Sequence, residues 1–256
     1  MHTDNRYWYF KNSLTPEQCK RIIHTGLEEI EKLKQDGEDT TATTFGDTQK
    51  QANEDKRPLN DKSLEEFGKD SNLSSIEVEK KTYIRDSEVS WLRHQWIYDL
   101  ILPFLHEANK NSGWKYDLGN SEPFQFTVYK PGGFYGWHID GDSCHNSAYK
   151  RFVPGISPEK SNGQPEKLYT TNLDNIGKVR KLSMTINLND PEDYEGGDLK
   201  FDFGPHTPGN RYHKCVEIRP QGSIIVFPSY TYHQVTPITR GVRYSLVLWT
   251  LGKPFR

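Results

Sequence analysis

Arg180-Lys181-Leu182-Ser183-Met184-Thr185-Ile186-Asn187-Leu188 is the stretch on which the fold turns. Met184, Ile186 and Leu188 alternate with Thr185 and Asn187. In an extended chain, successive side chains point to opposite faces, so this is a strand with one apolar and one polar face. Similar short runs, rich in β-branched and aromatic residues and separated by Gly and Pro, flank it: Gln125 to Tyr129, Phe134 to Asp140, Leu199 to Phe203, Cys215 to Ile218, Ser223 to Phe227 and Val242 to Thr250. Together with Leu182 to Leu188 they predict an antiparallel sandwich or barrel over the second half of the chain.

The first half reads differently. Arg6 to Lys11 is an aromatic-rich short strand, and Thr15-Pro16-Glu17-Gln18 is a capping box with proline at the first helical position. Cys19, Ile22, Ile23, Leu27, Ile30 and Leu33 then recur at helical spacing, a face that should pack on a sheet. In residues 35–75 almost every residue is polar, Gly or Pro, with too little apolar surface to offset the entropy of ordering them, and the stretch is expected to be a mobile loop or one ordered only by partners. Order is expected to resume at Val78 to Ile84. A second helix is predicted over Ser90 to Lys110, with Trp91, Trp96, Ile97, Leu100, Ile101, Phe104 and Leu105 on its apolar face and a kink at Pro103. Residues 146–179 form a second long polar loop, of the kind that serves as a lid or binding loop. The simplest organisation is one domain over 1–256, with 1–115 as helical support and 116–256 as the β core.

Composition narrows the function classes. The formal net charge of the 256 residues is -2 with both signs interspersed, so no basic footprint for nucleic acid is present. Cys19, Cys144 and Cys215 are widely and irregularly spaced, unlike a zinc knuckle or a secreted disulfide framework, and predict reduced thiols in a cytoplasmic protein. No apolar run approaches the roughly 18–20 residues needed to cross a bilayer, so no membrane association is expected.

The chemistry is concentrated in Trp137-His138-Ile139-Asp140. Residues i and i+2 of a strand share a face, so His138 and Asp140 can offer an imidazole and a carboxylate to one ion. A third ligand would complete the two-histidine, one-carboxylate arrangement that leaves open positions on Fe(II). His233, His206 and His213 compete for that place. The latter two sit in or beside the Gly/Pro-rich stretch Gly204 to Asn210 and read as solvated loop histidines. His233 is singled out by Arg243, ten residues further along in Gly241-Val242-Arg243-Tyr244-Ser245-Leu246-Val247-Leu248-Trp249. A guanidinium on so apolar a strand needs an acceptor, and the far carboxylate of a metal-bound dicarboxylate would supply one.

Tyr129 to Asp140 (Tyr-Lys-Pro-Gly-Gly-Phe-Tyr-Gly-Trp-His-Ile-Asp), Arg180 to Leu188, Glu195-Gly196-Gly197-Asp198-Leu199 and the pair His233 and Arg243 resemble the prolyl-4-hydroxylase-like branch of the Fe(II)/2-oxoglutarate oxygenases, the PKHD-type hydroxylases most closely. The resemblance runs from about Arg85 to the C-terminus. It implies a double-stranded β-helix, or jelly-roll, with N-terminal helices packed on its outer sheet. It also implies Fe(II), 2-oxoglutarate and dioxygen as metal and co-substrates, ascorbate as reductant, and hydroxylation with release of succinate and carbon dioxide. The carboxylate ligand Asp140 favours hydroxylation over halogenation, since a halide would need its position.

Carried over residue by residue, the resemblance assigns Tyr129, Thr185 and Asn187 to co-substrate binding beside Arg243. Asn187 departs from the tyrosine that several relatives use. It assigns Tyr135, Arg180 and Trp249 to the substrate, the residues that surround proline in prolyl hydroxylases that look similar. By parity Tyr135 shares a face with neither His138 nor Asp140, so it reaches the pocket only through a bulge at Gly136-Trp137 or by folding over the rim. The expected substrate is a prolyl residue in a protein or peptide. The alternatives are a free amino acid or other small molecule as substrate, a jelly-roll binding module without catalysis, and a zinc hydrolase, for which Arg243 would have no use.

Overall fold

The computed structural model describes residues 5–42, 85–141, 175, 178–204 and 211–253. Among them, two helices precede the β core, α1 (Pro16–Gln35) and α2 (Gln95–Asn111). The strands in chain order are β1 (Trp8–Phe10), β2 (Arg85–Asp86), β3 (Glu88–Leu92), β4 (Phe124–Tyr129), β5 (Phe134–His138) and β6 (Val179–Asn187). They continue with β7 (Tyr194–Gly196), β8 (Leu199–Asp202), β9 (Tyr212–Lys214), β10 (Ile224–Pro228), β11 (Tyr232–Val235), β12 (Ile238–Gly241) and β13 (Arg243–Gly252).

The alternating stretch at 180–188 forms β6, in the middle of a six-stranded antiparallel sheet ordered β1-β10-β6-β13-β4-β3. A five-stranded sheet, β2-β5-β11-β8-β9, forms the second layer, and β12 and β7 make a short ribbon. This is the expected jelly-roll. Both helices pack on the outer face of the larger sheet: Cys19, Ile22 and Ile30 of α1 and Ile97, Ile101 and Leu105 of α2 join Phe126, Met184, Ile186, Leu246 and Leu248 in one buried cluster. The capping box at Thr15 is present as read, with reciprocal bonds to Gln18. Gly26 sets how closely α1 approaches, because a Cβ there would come within 2.3 Å of the Phe126 ring. The Gly26 carbonyl in turn accepts a 3.0 Å bond from Ser90 Oγ. Between the sheets, Leu199, Phe201, Ile225 and Phe227 close one part of the sandwich with a second apolar cluster.

Four local expectations need correction. The second helix begins at Gln95, and Ser90 to Leu92 belong to β3, where Trp91 pairs with Gln125 and is 43% exposed. Over so short an apolar run the helical and extended periods coincide, and the open edge of β4 decides in favour of a strand. Cys215 to Ile218 is a strand in the sequence reading but a 3-10 turn over Val216–Ile218 in the structure. Cys215 and Ile218, three apart, are both buried while Val216 is 59% exposed, which is the spacing of such a turn. The start of the polar loop is tied down: Ala42 donates to Ser87 O and Val89 to Thr40 O, and Thr40 and Ala42 are buried. His213 is not a solvated loop residue. It lies in β9, with Tyr7 Oη 2.9 Å from its Nε2 and Phe203 stacked on its ring.

Cys19 and Cys215 are free and buried. Cys144, His206, the run Val78 to Ile84, the loop from residue 43 to 75 and nearly all of loop 146–179 lie outside the described residues. Among the described residues no helix is long and apolar enough to cross a membrane.

Candidate active site

The site lies where the smaller sheet faces the polar side of β6 and β13. His138 closes β5, and its Cα partner across the β5–β11 ladder is His233. Asp140 follows two residues later, and its backbone N–H donates to Ser229 O at 3.0 Å, which pins the turn beyond the strand. The three side chains offer ligand atoms that all lie within 4.8 Å of one another. His138 Nε2 is 3.5 Å from Asp140 Oδ1, and His233 Nε2 is 3.6 Å from Oδ2.

Each imidazole is oriented by the chain two residues before it. His138 Nδ1–H donates to Gly136 O at 2.7 Å and His233 Nδ1–H donates to Thr231 O at 2.9 Å. A carbonyl only accepts, so each Nδ1 carries a proton and Nε2 is the ring nitrogen turned toward the carboxylate. Burial and the neighbouring His138 lower the His233 pKa to about 4, which keeps this imidazole neutral near pH 7. For Asp140, burial alone would raise the pKa, but His233 and His138 outweigh it and hold the carboxyl well below the usual range. Two imidazoles and one carboxylate, with no thiolate, suit a non-haem Fe(II) with open positions.

Arg243 opens β13 and is 2% exposed. Its Nε has no hydrogen-bond partner, and among the described residues no carboxylate pairs with it. Its guanidinium lies 5.5 Å from the ring of Tyr129, its Cα partner on β4. Gly197 makes room for this side chain: it has φ +63°, and a Cβ there would meet Arg243 Cδ at 2.9 Å. A buried charge with an orphaned donor beside a metal-ligating cluster fits a dicarboxylate that reaches both.

One cavity is lined by His138, Asp140, His233, Arg243, Tyr129, Thr185, Tyr135 and Trp249, so eight of the ten residues singled out from sequence meet there. Tyr135 reaches it by the bulge route: His138 pairs with His233 but Tyr135 pairs with Val235, an extra residue on β5. Its ring stacks on His138 with 3.5 Å between centroids. Burial raises its pKa. Trp249 contributes a buried indole Nε1–H that has no acceptor.

Asn187 and Arg180 are outside the lining. The Asn187 amide donates to Asn189 O and Arg219 O and its oxygen accepts from Tyr194 Oη, so the side chain is fully engaged in structure. Arg180 grips Glu122 with both prongs, Nε to Oε1 at 2.8 Å and Nη2 to Oε2 at 2.6 Å. It also lies 4.1 Å over the Trp249 ring and donates to Asp140 O at 3.3 Å. Sequence reasoning missed Arg85 and Gln125, which line the same cavity. Gln125 was legible, since it shares strand parity with Tyr129. Arg85 was not, because it stands at the start of a two-residue strand.

Residues 124–251 match the family model of the 2OG-Fe(II) oxygenase superfamily, and the chain belongs to that family. Its sequence relatives include PKHD-type hydroxylases. The one from Klebsiella pneumoniae is 32% identical over 126 residues, covering 48% of this chain and 41% of that protein. The chain thus spans less than half the length of the curated relatives it matches. Among solved structures, the viral collagen prolyl hydroxylase of Paramecium Bursaria Chlorella virus-1, in its 2OG complex, has a TM-score of 0.53 at 19% identity over 97% of both chains. A prolyl-4-hydroxylase of Pseudomonas putida has a TM-score of 0.50 at 16% identity, over 98% of this chain and 97% of that one. At such identity these two speak for the fold alone. Family membership implies Fe(II), 2-oxoglutarate and dioxygen.

Proposed function

We propose that the chain is an Fe(II)- and 2-oxoglutarate-dependent dioxygenase whose single catalytic domain hydroxylates a prolyl residue of a protein or peptide, releasing succinate and carbon dioxide. The observation that carries this reading is the His138, Asp140 and His233 cluster beside the buried Arg243, a cation without a counter-ion among the described residues. The three clustered residues would hold Fe(II). An iron held by them would supply the redox chemistry that links decarboxylation of 2-oxoglutarate to hydroxylation of a C–H bond.

The remaining work falls to side chains of the cavity. Arg243 binds the far carboxylate, with Tyr129 and Thr185 as neighbouring walls. Gly136 O and Thr231 O hold both imidazoles in the ligating tautomer. Tyr135 and Trp249 supply flat surfaces for a pyrrolidine ring, and Trp249 Nε1–H has its hydrogen bond free for a substrate carbonyl. Arg180, engaged by Glu122, acts by fixing Trp249 and the Asp140 turn rather than by touching substrate. Asn187 serves the fold. Ascorbate would be the reductant that accompanies turnover.

The test is spectroscopic first and chemical second. Fe(II) and 2-oxoglutarate added without oxygen should together produce a visible metal-to-ligand charge-transfer band. In air, proline-containing peptides should then stimulate succinate formation and gain one oxygen by mass spectrometry. Folded, iron-loaded protein that shows no band would overturn the co-substrate assignment, and oxygen found on another residue would overturn the prolyl one.

A further inference from the structure

Two buried guanidinium groups, of Arg85 and Arg243, line the cavity and a third, of Arg180, lies behind Trp249, and the three are not compensated alike. Arg180 has Glu122 at 2.6 Å. Arg243 has no protein acid, and under the proposed reading it takes one carboxylate of 2-oxoglutarate while the other goes to the metal. Arg85 is left over. It opens β2 opposite Tyr135 in the β2–β5 ladder and is 5% exposed.

Its side chain crosses from the smaller sheet to the larger one. Nε donates to Ser87 Oγ at 2.9 Å, and Nη2 donates to Gln125 Oε1 at 2.7 Å and to Thr127 Oγ1 at 3.3 Å. These neutral acceptors fix the fork without cancelling its charge, and Nη1 donates to none of them. No described carboxylate forms an ion pair with it. The guanidinium lies 4.6 Å over the Tyr135 ring, the same ring that stacks on His138 at 3.5 Å. The guanidinium is therefore held one aromatic ring away from a metal-ligating residue, and Arg85 stands in the wall of the cavity. A buried charge in that state is costly until an anion arrives, and the co-substrate has no carboxylate to spare.

We infer that Arg85 is a specificity-determining residue that binds a carboxylate carried by the molecule being hydroxylated, beside Tyr135. This rests on the proposed function. It narrows the substrate to an anion, either a peptide with an acidic side chain adjoining the target residue or a free amino acid with its own carboxylate.

The test uses protein loaded with Fe(II) and 2-oxoglutarate under anaerobic conditions, where the charge-transfer band reports on the underlying reading before any substrate is added. Calorimetry then compares acid and amide probes: blocked peptides with Glu or Gln directly before or after proline, and L-proline against L-prolinamide. The acid member of at least one pair should bind about tenfold tighter, and the discriminating pair names the source of the carboxylate. Arg85→Gln should level that pair with the band and 2-oxoglutarate affinity unchanged, and Arg85→Lys should retain part of the preference. Equal binding of acid and amide to the wild-type protein in every pair, failure to bind included, overturns the inference. So does loss of 2-oxoglutarate affinity in Arg85→Gln, which would make Arg85 a co-substrate residue.

Discussion

The two faces of the six-stranded sheet are built from the same strands and serve opposite ends. On the helix side, Leu182, Met184, Ile186, Leu246 and Leu248 are wholly buried among apolar neighbours. On the cavity side, the inward residues include Ser183, Thr185, Arg243, Ser245 and Trp249, with the Arg243 Nε–H and the Trp249 indole N–H left without hydrogen-bond partners among the described residues. A period of two thus writes stability and function into one strand. The helix face gains by excluding water. The cavity face keeps unsatisfied polar groups, which cost stability and become useful only when a ligand satisfies them.

The contrast is broken most severely at the metal cluster. Asp140→Ala should abolish detectable hydroxylation and weaken Fe(II) binding by more than the roughly 10–100-fold typical of groups that merely support a ligand. Its melting temperature without metal should stay close to that of the parent. A metal titration followed by thermal melting checks both, and unchanged iron affinity would remove Asp140 from the ligand set. On the opposite face, Leu248→Ala should cost about 2–5 kcal/mol in denaturant unfolding, with iron and 2-oxoglutarate affinity preserved in the folded fraction. Gly26→Ala should cost less, about 1–3 kcal/mol, because the Phe126 ring against which α1 rests is itself fully buried and has little room to yield. A neutral outcome there would mean that α1 can slide outward freely.

These two faces also explain what the sequence made legible. Alternation in 182–188 and parity from Arg243 to Trp249 identified the sheet and its inward residues, and His138 with Asp140 followed from strand geometry. Even the anomaly at Tyr135 was readable, since parity excluded it unless β5 bulged, and it does. Where a side chain lies outside the cavity lining, the cause is competition that a single sequence does not display. Asn187 has the parity of Thr185, but Tyr194, Asn189 and Arg219 claim its side chain from elsewhere in the chain. Arg180 is claimed by Glu122, 58 residues away. Arg85 acquires its place from a two-residue pairing that carries no periodic signal.

The central claim is that Arg243 is held for a ligand at a cost to the fold, and Arg243→Met tests it most directly. Replacing an uncompensated buried cation by an apolar side chain of similar length should leave the protein without ligands at least as stable as the parent in denaturant unfolding. The same variant should bind 2-oxoglutarate on the order of a hundredfold more weakly in the anaerobic charge-transfer titration, while Fe(II) binding persists. A variant that unfolds several kcal/mol more easily yet binds 2-oxoglutarate as the parent does would contradict the account, for Arg243 would then be part of the scaffold.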